Sequence, residues 1–206
     1  MKNYYTELPE GFKKFAEANS AGGEKLAKWL NIFSIFIMII MVYITYSLRF
    51  AETEDVSIVG FWLSRIHLLF FLFVFVAALI CHSFLHGLVY KLITGQDFKI
   101  SAGGNIICCS LPGVYVNRKT AILALLAPFV VFSAAFIIAM NVTEGYLALA
   151  FVFAFAIHAG CCTGDFYNVI LLAFVFKGDV LMCDGGTKQT YYMYHKLPDV
   201  TADEQN

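Results

Sequence analysis

Four apolar stretches, each long enough to cross a hydrocarbon layer, dominate the 206-residue sequence. A helix rising 1.5 Å per residue needs about 20 such residues for one span, and the runs occupy residues 29–48, 61–90, 121–140 and 146–176. The second and fourth exceed one hydrocarbon thickness, so they are expected to tilt, break or emerge at one end. Apolar residues make up 60 % of the chain and charged residues 14 %, against about 45–50 % and 25 % in ordinary globular proteins. The excess must face lipid, and the expected fold is mainly α: a polytopic membrane protein with about four transmembrane helices, plus small cytoplasmic-side β-hairpin elements. The first run is too long for a cleaved signal peptide and ends in Leu48-Arg49-Phe50 without a small-residue cleavage site, so it is expected to be retained. A net charge of −1 offers no basic face for nucleic acid.

Lysine and arginine are distributed unevenly between the connections. Lys2, Lys13, Lys14, Lys25 and Lys28 precede the first span, Lys91, Lys99, Arg118 and Lys119 flank the loop after the second, and Lys177, Lys188 and Lys196 follow the fourth. The other two connections hold Arg49 and Arg65 among Glu52, Glu54 and Asp55, and a turn "NVTEG" without a base. The positive-inside rule then predicts a cell-membrane protein with both termini and the long central loop in the cytoplasm. Three regions follow: a lead-in over residues 1–28, a membrane domain over 29–177, and a hairpin and tail over 178–206.

The lead-in offers a Pro9-Glu10-Gly11 turn and then a short basic helix with Phe12 and Phe15 on one side, lying on the membrane surface. The loop over residues 97–118 changes character: runs at 98–101, 105–110 and 114–117 are rich in β-branched and aromatic residues and are separated by Gly103-Gly104 and Pro112-Gly113, which reads as short strands and turns. After the fourth span, Asp184-Gly185-Gly186 separates two strand-like runs as a hairpin would, and "PDVTADEQN" reads as a disordered tail. Six cysteines, including the adjacent pairs Cys108-Cys109 and Cys161-Cys162, lie in or beside apolar segments with no C-x-x-C spacing, and are expected to be small packing residues.

Ionisable groups within a span are costly and point to function. Away from the span ends the sequence has His82 and His86 in the second run and His158 and Asp165 in the fourth. Positions four apart share a helix face about 6 Å apart along the axis, the spacing at which two imidazoles grip one metal ion; the same spacing also suits two buried packing histidines. Topology adds a third group. His82 and Asp165 each come about 20 residues after their spans enter from the outside, which puts both roughly 28–30 Å deep. Two histidines, one carboxylate and a position left for water make the arrangement of a catalytic zinc site. Gly160 and Gly164 bracket the second cysteine pair and could loosen the helix there. On an unbroken helix His158 lies about 10 Å from Asp165 along the axis, too far to share an ion, and stands either beside the site or as a buried hydrogen-bonded histidine. His67 and His195 have no expected catalytic part.

"HSFLHG" (82–87) and "GDFYN" (164–168) resemble the two halves of an H-E-x-x-H and G-D-x-x-N signature. It belongs to a bacterial family of zincin-type membrane peptidases distantly related to the site-2 intramembrane metalloproteases. "LPEGF" (8–12), "LLAPF" (125–129) and "DGGTKQTYYMY" (184–194) extend the resemblance over most of the chain. The resemblance implies that His82, His86 and Asp165 hold Zn2+, that Asn168 supports the site, and that the activity is hydrolysis of peptide bonds in or near the membrane. The family's general-base glutamate falls at Ser83, where a hydroxyl cannot take a proton from the attacking water. The resemblance therefore implies a zinc metalloendopeptidase that is inactive or very slow as written, or a zinc-binding pseudopeptidase that binds transmembrane segments, whether Ser83 is native or introduced. Its expected partners are the lipid bilayer and a peptide or transmembrane-segment substrate or client. The strand-rich loop is either an edge to which an unwound substrate adds as a strand or a surface hairpin. Ion transport is disfavoured, since the polar groups leave no continuous route across four spans.

Overall fold

The structure, a computed structural model, describes residues 2–19, 24–51, 56–103 and 106–195. It is mainly helical, with a small sheet at one end. Among the described residues three helices are long and apolar enough to cross a membrane: α1 (Glu24–Phe50), α3 (Arg65–Thr94) and α4 (Arg118–Val142). A fourth candidate span is broken into α5 (Gly145–Cys161) and α6 (Thr163–Ile170), which continues into a π-helical turn at Leu171–Val175; the pair bends by 41°. The short α2 (Ile58–Leu63) precedes α3, separated from it at Ser64. It takes up the start of the second apolar run.

Local chemistry sets the ends of these helices. Asn117 caps α4, its side chain accepting from the Thr120 amide at 2.9 Å. Gly95 ends α3 with φ 69°, a left-handed conformation that suits glycine. At the far end of α4 the Arg49 guanidinium donates to the carbonyls of Met140 and Thr143, satisfying groups that a helix terminus leaves unpaired.

Strands β1 (Tyr4–Tyr5), β2 (Phe12–Asn19), β5 (Tyr115–Asn117), β6 (Val180–Asp184) and β7 (Lys188–Tyr194) form one antiparallel sheet in the order β1-β5-β6-β7-β2. Strands β3 (Lys99–Gly103) and β4 (Ile106–Ser110) form a separate hairpin. The expected β-hairpin elements are thus part of a larger assembly: the strand-rich loop divides, two strands pairing locally and β5 joining the tail hairpin.

The basic helix expected over the lead-in is instead strand β2, paired along β7 with a bulge between Lys14 and Ala16. Eight residues make a poor isolated helix, whereas β7 supplies partners for the backbone and Glu17 draws in Lys188 at 2.8 Å. Phe15, at the bulge, packs edge-on against Phe176 with ring centroids 4.7 Å apart. The acidic connection at 52–55, the turn residues 104–105 and the tail after His195 fall outside the described residues.

Two cores hold the molecule together. One, away from the sheet, packs Phe50, Phe61, Phe71, Phe136, Phe153 and their neighbours from α1 to α5. The other joins the sheet to the helices through Tyr90, Leu125, Leu172, Met182 and Tyr191.

Candidate metal centre

Helix α3 presents His82, His86 and Tyr90 at successive four-residue steps along one face. The bend between α5 and α6 brings Asp165 to the same place. His82 Nε2 and His86 Nε2 are 3.1 Å apart, and Asp165 Oδ2 lies 3.3 Å from the first and 3.6 Å from the second. Donor atoms about 2.0–2.1 Å from a tetrahedral zinc ion stand ~3.3–3.4 Å from one another. The triangle therefore fits a single ion without rearrangement, and its N, N, O donors suit zinc.

Each histidine is held from behind. His86 Nδ1 is 2.9 Å from the carbonyl of Ala124 on α4. That carbonyl is available for a reason visible in the sequence. Pro128, four residues on, has no N–H to return to it. With Nδ1–H donating to Ala124, the free lone pair of His86 is on Nε2, facing the other two donors. His82 Nδ1 lies 3.2 Å from Nε2 of His158 on α5. On an unbroken helix His158 would stand too far from Asp165 to share an ion. In the structure it lies next to His82 but on the side of the ring opposite Asp165, with Cys162 Sγ nearby.

The break that delivers Asp165 is chemically supported. At Gly160 a Cβ would collide with Met38 of α1, so only glycine allows this approach. Its carbonyl accepts from Ser34 Oγ at 2.8 Å and from Thr163 Oγ1 at 2.6 Å. These hydroxyls replace helical partners lost at the bend. Gly87 plays a matching part on α3: a Cβ there would strike Cys109 and the ring of Phe98, so its absence lets β4 lie directly on the histidine helix.

Asn168, one turn beyond Asp165, is buried and touches the sheet rather than the three donors. It accepts from Tyr191 Oη at 2.6 Å and donates to the Gly164 carbonyl at 3.0 Å, tying α6 to β7. Ser83 lines a cavity of about 780 Å³ together with His82, His86, Asp165 and Asn168. Helix α1 contributes Asn31, Ser34 and Met38 to its wall, and α3 contributes Val76, Leu79 and Ile80.

One carboxylate in that wall escaped the sequence argument. Asp184 entered it only as a turn residue, yet it lines the same cavity and is 5 % exposed. Its Oδ2 accepts from Tyr90 Oη at 2.9 Å and its Oδ1 from the Gly186 amide at 2.8 Å. Burial raises its pKa above the usual carboxylate value, against the lowering effect of these donors. The signal available in the sequence was the four-residue step from His86 to Tyr90, which carries the polar stripe toward the hairpin.

All six cysteines are free. Burial pushes the Cys109 thiol up to about 12 and raises Cys108 and Cys183 as well. Such thiols stay protonated at neutral pH and are neither nucleophiles nor ready thiolate ligands. Asp97 is exposed and pairs with Lys91 at 2.7 Å, away from the cavity wall.

No curated protein and no solved structure matches the chain. A model of the family described as "Putative zincin peptidase" matches residues 74–180, just over half of the sequence, and the matched stretch contains His82, His86 and Asp165. The chain belongs to this zincin peptidase family.

Proposed function

We propose that the chain is a polytopic zinc metallopeptidase homologue of site-2-protease type, lying in the bilayer of a cell membrane with both termini cytoplasmic. His82, His86 and Asp165 are its zinc ligands. The observation that carries this reading is the triangle of two imidazole nitrogens and one carboxylate oxygen with edges of 3.1, 3.3 and 3.6 Å, set in the wall of a cavity. When bound, zinc would polarise a scissile carbonyl and acidify a coordinated water so that attack is possible near neutral pH.

Ser83 occupies the place of the general base. A hydroxyl of very high pKa cannot take up the proton, and loss of a general base costs about 10²–10⁴ in rate. Asp184 is no ready substitute, because Tyr90 and Gly186 already engage both of its oxygens. As written, the chain is inactive or very slow as a peptidase.

A transmembrane segment is the substrate class that suits the cavity. Helix α1 packs on α5 and α3 packs on α4 and α5, while α1 and α3 line the cavity together. An entering helix has to unwind before its carbonyls are accessible, and the freed backbone groups need partners. The β3–β4 hairpin is the partner we favour: among the described residues its strands pair only with each other, and Cys108 and Cys109 of β4 line the cavity.

The absent base supports a second reading, a zinc-binding pseudopeptidase that holds transmembrane segments without cutting them. Ser83→Glu separates the two. Cleavage of a transmembrane peptide in liposomes by S83E, abolished by a further Asp165→Ala, is the result expected of the peptidase. Zinc-loaded, folded S83E that binds such peptides and leaves them intact would establish the pseudopeptidase instead.

A further inference from the structure

We propose that His158 is a positioning residue, the group on α5 that sets the tautomer and ring orientation of His82; this rests on the zinc reading above. A neutral imidazole carries one N–H and one lone pair. If His82 offers its Nε2 lone pair to an ion shared with His86 and Asp165, its proton sits on Nδ1, inside a protein wall where an unpaired donor is costly. His158 Nε2 lies 3.2 Å from that atom. Accepting there leaves the proton of His158 on its own Nδ1, with Cys162 Sγ 3.8 Å away as a weak acceptor.

His158 is suited to hold a neighbour still. It is 1 % exposed, and its ring packs against Phe132 and Phe136 of α4, with centroids 4.9 and 6.0 Å away. The two histidines of α3 are then oriented by the same device in different forms. His86 donates to a backbone carbonyl freed by Pro128, and His82 donates to a side chain locked among rings. Without His158, the Nδ1 proton of His82 is left to the weak acceptor Cys162 Sγ, 3.9 Å away, and the tautomer with the proton on Nε2 becomes competitive. That tautomer cannot ligate through Nε2.

The same neighbourhood permits one other arrangement. His82, His158 and Cys162 place donor atoms within 4.8 Å of one another and could hold an ion of their own. His82 would then bridge two ions through both nitrogens and lose both protons, which the hydrogen-bonded arrangement avoids.

The test is zinc affinity of the full-length, detergent-purified protein, measured by competition with a chromophoric chelator, in the parent and in His158→Phe, His158→Gln and His86→Ala. His158→Phe is expected to bind zinc about 10- to 100-fold more weakly, the usual effect of losing a group that orients a ligand. His158→Gln should regain most of that loss, because its side-chain oxygen can accept from His82 Nδ1, while the zinc-free forms melt alike. Equal affinity in H158F and the parent would overturn the proposal and leave the zinc site standing, as would H158Q as weak as H158F. Two zinc ions per parent chain, one of them lost in Cys162→Ser, would replace it with the second ion site. A parent that binds no zinc, indistinguishable from H86A, would overturn both readings.

Discussion

The two ends of the helix bundle are packed by different chemistry. Away from the sheet, Phe61 sits in a shell of rings, with Trp62 and Phe153 at 5.3 Å and Phe71 and Tyr146 at 6.3 Å. Toward the sheet, polar groups form directed pairs: His82 with His158, His86 with the Ala124 carbonyl, Tyr90 with Asp184, Asn168 with Tyr191. Ring packing tolerates shifts in angle, because dispersion is spread over many atoms. A directed polar pair does not, since each buried donor has to meet its acceptor. The contrast teaches that the aromatic end supplies stability and the sheet end supplies geometry, so the two should respond separately to substitution.

Phe61→Ala should give the largest change in stability. It is fully buried, and truncating such a ring costs about 3–5 kcal/mol. Chemical or thermal unfolding in detergent should show the loss, with zinc affinity unchanged in the molecules that remain folded. A parallel loss of affinity would break the separation between the two ends. Gly87→Val comes next. Its side chain would drive β4 from α3, and overpacking of this kind costs about 1–3 kcal/mol; here zinc affinity should fall along with stability, because the displaced contact lies next to His86.

Pro128→Ala separates stability from geometry, because its two effects have opposite signs. A helix interior favours alanine over proline by up to about 3 kcal/mol, so the melting temperature should rise. The restored amide competes with His86 for the Ala124 carbonyl, and zinc affinity should drop about tenfold. Higher stability at unchanged affinity would mean that the carbonyl serves both donors through its two lone pairs. The smallest effect is expected from Tyr191→Phe, which removes the hydroxyl bonded to Asn168. A loss of about 1 kcal/mol in unfolding free energy is expected, with at most a slight change in metal binding, because Asn168 is a tie between α6 and the sheet. A loss of zinc as large as that of a ligand variant would give Asn168 a direct part in the site.

What the sequence could reveal follows the same division. Apolar length alone locates the long helices, and the four-residue step places His82 and His86 together, because both depend only on helix geometry. Asp165 was reachable by counting depth along a second span. His158 reads from the sequence as standing beside the site or as a buried hydrogen-bonded histidine, and it is buried against His82; its partner is not legible, because the packing of α5 on α3 is not written in either helix alone. Pro128 read as part of a motif, and its consequence appears only when His86 is seen against α4. The lead-in was misread because an eight-residue segment takes its structure from its partner, and nothing within residues 12–19 announces β7. Asp184 carried a turn signal strong enough to hide its second role in the cavity wall.

The proposed peptidase rests on one zinc ion held by His82, His86 and Asp165. Elemental analysis of the purified protein beside His86→Ala and Asp165→Ala tests it most directly, after exposure to zinc and removal of the excess. Close to one zinc per chain is expected in the parent and loss of it in both variants, with the helical content of all three alike. Metal-free parent protein, or variants that retain zinc as the parent does, would contradict it and reduce the two histidines to packing groups on a peptidase fold.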